Sequence, residues 1–61
     1  MISFDDQIAC LAREIALRRN VYPKWVAKGN MRQEEADREV TRMEAALQSV
    51  KALQQLKLSG A

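Results

Sequence analysis

The sequence predicts an all-α protein: an antiparallel helical hairpin, coiled-coil-like, kinked at Pro23 and assembling as a homo-oligomer. Three observations lead there. Apolar residues recur at alternating spacings of four and three in both halves of the chain, the seam of a helix that packs lengthwise on a partner. A Gly29-Asn30 step separates the halves. The chain has 61 residues, too few for one hairpin to bury a sizeable core. It reads as a single domain over residues 1–61, with helix 1 at about 4–28, a turn at 29–31 and helix 2 at about 32–58.

Helix 1 carries Phe4, Ile8, Leu11, Ile15, Arg18, Tyr22 and Trp25 along its seam. Ser3 is its expected N-cap, and Asp5 and Asp6 fall in the first turn, where the helix dipole favours a carboxylate. Gly29 suits the residue just past its end. Pro23 removes one backbone hydrogen bond and crowds the preceding turn, at a cost of about 3 kcal/mol. The register survives across it through Tyr22 and Trp25, so a kink at Val21-Tyr22 is expected rather than a break. Helix 2 carries Ala36, Val40, Met43, Leu47 and Val50. Asn30 is its expected cap, with Gln33 in the reciprocal capping-box position. Strict continuation lands on Gln54 and Lys57, while the apolar residues there are Leu53, Leu56 and Leu58, so the stripe is expected to drift. Glu34–Arg38, Glu35–Arg38 and Glu39–Arg42 have helical ion-pair spacing. Gly60 is a natural stop. Helices of about 25 residues, roughly 37 Å each, pair Trp25 with Ala36, Tyr22 with Val40, Ile15 with Met43 or Leu47, and Leu11 with Val50.

Self-association follows from what is missing. Cys10 is the only cysteine and there is no histidine, so neither an internal disulfide nor a zinc site holds the fold. Second apolar stripes, Cys10, Leu17 and Val21 on helix 1 and Ala46 and Leu53 on helix 2, are the expected subunit interface. The start "MISFDDQIACL" has no basic, apolar leader, and no segment reaches the ~20 apolar residues of a membrane span. Together with the single cysteine this points to a cytoplasmic setting without membrane contact.

The stretch "NVYPKWVAKGNM" concentrates the unusual residues: the only Pro, Tyr and Trp, preceded by Arg18-Arg19. The net charge is +2, but Arg13 to Arg32 holds six basic residues against Glu14 alone. Local fields of this kind decide which anions are attracted. Arg18 sits where a seam leucine is expected. Its head either pairs with Glu14 one turn back or turns into a concavity beside Tyr22 and Trp25. Tyr22 and Trp25 serve equally as core residues. With Arg18, Arg19, Lys24 and Lys28 they also form an aromatic-and-cation set that suits a nucleotide: a ring stacks on the base and a cation holds phosphate. Arg42 on the facing helix can join from the same or a neighbouring chain. The acidic run "EEADREV" reads as a solvated helix face. No phosphate loop, metal-ligand spacing or catalytic triad occurs, and Cys10 has no neighbouring base, so no enzyme, metal or cofactor is expected.

The run "REIALRRNVYPKWVAKGNMRQEEADREVTRMEAAL" resembles a group of small uncharacterised bacteriophage and prophage proteins. They share R-E-I-A-x-R, V-Y-P-x-W-V, G-x-M, A-D-x-E and M-E-A in that order. The likeness runs from Arg13 to Leu47, about half the chain. The group often has Ser where Arg32 stands here, a better N-cap. The resemblance implies a phage accessory protein inside the host bacterium and assigns no chemistry. Combined with the residues above, it leads to a non-enzymatic anti-defence protein that sequesters a small anionic ligand, a nucleotide signal of host defence. The alternative is an inhibitor docking on a host protein through Leu17, Val21 and Leu53. A third reading, DNA binding, draws on the pI of about 9.0. Acids on helix 2 and the lack of a helix-turn-helix pattern count against it.

Overall fold

The computed structural model describes residues 1–59 and consists of two helices, α1 (Phe4–Ala27) and α2 (Gln33–Leu58), packed as an antiparallel hairpin. Each is one residue shorter at the turn than its sequence pattern indicates. The Gly60 stop lies outside the described residues. Neither helix is long and apolar enough to cross a membrane, and among the described residues no cluster of His, Cys, Asp and Glu is placed to hold a metal.

Helix α1 starts as its sequence dictates. Ser3 has an extended backbone, and its Oγ accepts a hydrogen bond from the Asp6 amide at 3.1 Å. The helix then runs without interruption through Pro23 to Ala27. It ends in a Schellman turn: the Asn30 amide donates to the Trp25 carbonyl at 2.9 Å and the Gly29 amide to the Val26 carbonyl at 3.0 Å. This turn holds Gly29 at φ +79°, where a Cβ would be strained although nothing lies near it. Gly29→Ala is therefore expected to cost about 1–2 kcal/mol, read as a lower midpoint in thermal denaturation. An unchanged midpoint would show that the turn re-forms around a side chain.

The start of α2 differs from the expected capping box. Arg32 is the N-cap and no side chain caps it. Gln33 instead donates to Asp37 at 2.9 Å. The cause lies in the turn: the Asn30 amide is committed to closing α1, and the chain needs two further residues before it can start the opposite helix.

The seam is selected by the true helical repeat. Steps of 3.6 residues from Phe4 give Ile8, Leu11, Ile15, Arg18, Tyr22 and then Val26. Accordingly Val26 is half-buried and Trp25 remains 46% exposed. Steps of 3.6 from Ala36 give Val40, Met43, Leu47, Val50 and Gln54. All of these are partly buried, so the stripe does not drift. Gln54 donates to Asp5 across the hairpin at 2.6 Å, and the Lys57 ammonium sits 5.7 Å from the centre of the Phe4 ring. Leu53, Leu56 and Leu58 face outward instead, each more than half exposed. The buried core is Ile15 at 6% exposure and Ala36 at 5%.

Candidate functional site

Which predicted residues share a surface depends on the two flanks beside the seam. One flank is defined by the ion pair of Arg19 with Glu44, the cross-helix pair. It is polar. A groove of about 360 Å³ runs along it, lined by Arg18, Arg19, Tyr22 and Pro23 from α1 and by Asp37, Thr41 and Glu44 among others from α2. Its cations are matched by acids, so the groove offers an anion no net attraction. A second groove on the same flank, about 230 Å³, lies between Ala12, Ala16 and Gln48.

The opposite flank is apolar and aromatic. A groove of about 260 Å³ on α1 is lined by Glu14, Leu17, Arg18, Val21, Tyr22 and Trp25. The Tyr22 and Trp25 rings stand 5.6 Å apart, centroid to centroid, with an angle of 37° between their planes. This tilted contact is one that aromatic pairs favour. It leaves a large part of the indole open to solvent. Lys24 follows Pro23 in the last turn of α1, Lys28 is its C-cap and Arg42 lies on α2; none of the three is among the residues lining this groove. Lys24 and Lys28 are exposed, and among the described residues neither takes part in an ion pair.

Arg18 adopts the first of its two expected arrangements. Its guanidinium bonds Glu14 twice, at 2.8 Å to the carboxylate and 3.2 Å to the backbone carbonyl. The Glu14 hydrogen bond is the main reason its pKa lies above the ordinary arginine value; partial desolvation opposes this and Tyr22 adds to it. Arg18 is a fixed cation that still borders the aromatic groove. Arg42 is held by Glu39 at 3.4 Å. Of the other spaced pairs, Glu34–Arg38 and Glu35–Arg38 are not among the ion pairs of the described residues.

The predicted site is thus divided. Arg18 and Tyr22 border both grooves, meeting Trp25 at the aromatic one and Arg19 at the polar one, while Lys24, Lys28 and Arg42 line neither. Of the predicted interface residues, Leu17 and Val21 line the aromatic groove; by heptad count Cys10, Ala46 and Leu53 fall on the same flank, with Leu56 beyond them. Cys10, expected at a subunit contact, is exposed in the single hairpin. The sequence reading missed Glu44 and Thr41 as groove residues and Leu56 as part of the apolar flank. Opposite charges at facing flank positions, Arg19 and Glu44, and the three-residue step from Leu53 to Leu56 were the available signals. Comparison with protein-family models, with curated proteins and with solved structures finds no match.

Proposed function

We propose that this chain is a non-enzymatic binding protein that captures a small planar anion on its Trp25 flank and holds it without turnover. The supporting observation is the Tyr22–Trp25 pair, half-open to solvent beside Arg18, with Lys24 and Lys28 near it in sequence and in no ion pair among the described residues. A nucleobase stacks on the indole, and a phosphate lies between the lysine ammonium groups and the outer edge of Arg18. Charge-assisted bonds of this type are worth about 1.5–3 kcal/mol each. A bend of α1 at Pro23 belongs to the same reading, since it orients the last turn, with Lys24, Trp25 and Lys28, relative to Arg18. So does a homo-oligomer, because a single hairpin leaves the platform open on one side. The likeness to phage proteins extends the reading to sequestration of a nucleotide signal of host defence inside the host cell.

Titration calorimetry of the protein against cyclic dinucleotides and ADP-ribose derivatives tests it. A ligand present at a hundred times its dissociation constant is expected to stabilise the fold by about 2.7 kcal/mol. Trp25→Ala is expected to remove about 1–3 kcal/mol of affinity, the usual worth of a base–aromatic stack. Binding by the Trp25→Ala variant with parental affinity, or no binding of any nucleotide, would remove the platform assignment.

A further inference from the structure

We infer that the Trp25 flank is covered by a second copy of this chain, and that two hairpins form a four-helix unit through Leu17, Val21, Ala46, Leu53 and Leu56. Area is the first argument. The hairpin exposes 4845 Å². A compact chain of 6.9 kDa exposes about 4,000 Å². The excess, about 850 Å², matches the roughly 800 Å² that each partner contributes to a standard protein interface. The same excess appears in shape: the radius of gyration is 14.5 Å, against about 10.5 Å for a compact chain of this length.

Polarity selects the face. The Arg19 flank is occupied by an ion pair and by Asp37, Thr41 and Gln48. On the Trp25 flank the two acids nearest the seam, Glu14 and Glu39, are already bonded to Arg18 and Arg42 of the same chain. That flank therefore brings large, exposed apolar side chains and no unmatched carboxylate at those positions. A patch that is apolar on both copies pairs with itself, and an isologous contact closes at two chains. Walling of the Trp25 platform by the second copy rests on the ligand reading above; the pairing itself rests on area and polarity.

The test uses the ligand-free full chain in sedimentation equilibrium, with Trp25 emission followed on dilution. The expected mass at micromolar concentration is that of two chains. Dilution is expected to red-shift the Trp25 emission over the same concentration range in which the mass halves. Leu17→Glu combined with Leu53→Glu is expected to lower the apparent association constant at least a hundredfold, while Gln48→Lys on the other flank leaves it unchanged. A folded single chain at micromolar concentration overturns the inference, as it would if a different protein covered this flank. So does a Trp25 emission that stays constant while the mass changes. Nucleotide capture by a protein that sediments as one chain would overturn the pairing and leave the ligand reading intact; a dimer that binds no nucleotide would do the reverse.

Discussion

Ile15→Ala is expected to remove most of the stability of the fold. Among the described residues Ile15 is the only large side chain that is buried, and Ala36 is the only other residue in the core. Truncating a buried isoleucine costs about 2–5 kcal/mol, counting both lost transfer energy and the cavity left behind. A chain of this length has about 3–9 kcal/mol in total. Thermal denaturation followed by circular dichroism, at one fixed chain concentration, should show a midpoint lower by about 10–20 °C or no cooperative transition at all. Leu58→Ala, at a site with most of its surface in water, is the comparison and should change stability by less than about 0.5 kcal/mol. Equal effects at the two positions would mean that the packing of α1 on α2 is not centred on Ile15.

Pro23→Ala is expected to act in the other direction. Pro23 has no N–H to donate to the Arg19 carbonyl, and its ring presses on the turn before it, within a helix that nevertheless runs unbroken to Ala27. Alanine restores the bond and relieves the contact, so the variant should gain about 1–3 kcal/mol. On the binding reading proposed above, which includes a bend of α1 at Pro23, the same variant should bind a nucleotide more weakly than the parent. A stability gain with a loss of affinity is the pattern of a residue kept for its site at the expense of its helix. Chemical denaturation and calorimetry on one preparation measure both; a Pro23→Ala protein less stable than the parent would contradict the helix-strain account.

The hairpin was legible because both seams obey one period and both ends of α1 carry strong local signals. Ser3 and Gly29 act through their own backbone and side-chain chemistry and need no knowledge of the partner helix. The errors came where a period of 3.5 was carried too far. Over three heptads the difference from 3.6 moves the inward position by about 0.6 residue, enough to favour Val26 over Trp25. On α2 the apolar residues near the end do not displace the period: Gln54 holds its seam place, partly buried, while Leu53, Leu56 and Leu58 are exposed. The site was only partly legible, because closeness in sequence is not closeness on a helix. Arg18 and Arg19 are adjacent but point about 100° apart; both border the polar groove, but only Arg18 reaches the aromatic one, while Arg19 crosses to Glu44. Asn30 was assigned to α2 by its residue type, whereas its amide closes α1.

The seam also changes character along its length, with consequences for how the hairpin assembles and comes apart. Near the turn it is Tyr22, Ala36 and Val40; at the middle it is Ile15 and Leu47; at the open end Gln54 meets Asp5 and Lys57 lies over Phe4. The apolar contacts nearest the turn are separated by the fewest residues of chain, and the loop they close is short. Loop closure at this length takes well under a microsecond, and the entropy spent on each later contact falls once its neighbour has formed. Folding therefore runs as a zipper from the Gly29 turn toward the termini. Unzipping begins at the other end, where polar contacts in water are the first to part, so the two ends of the chain separate like the arms of a pair of tweezers while Tyr22 and Ala36 still hold the pivot.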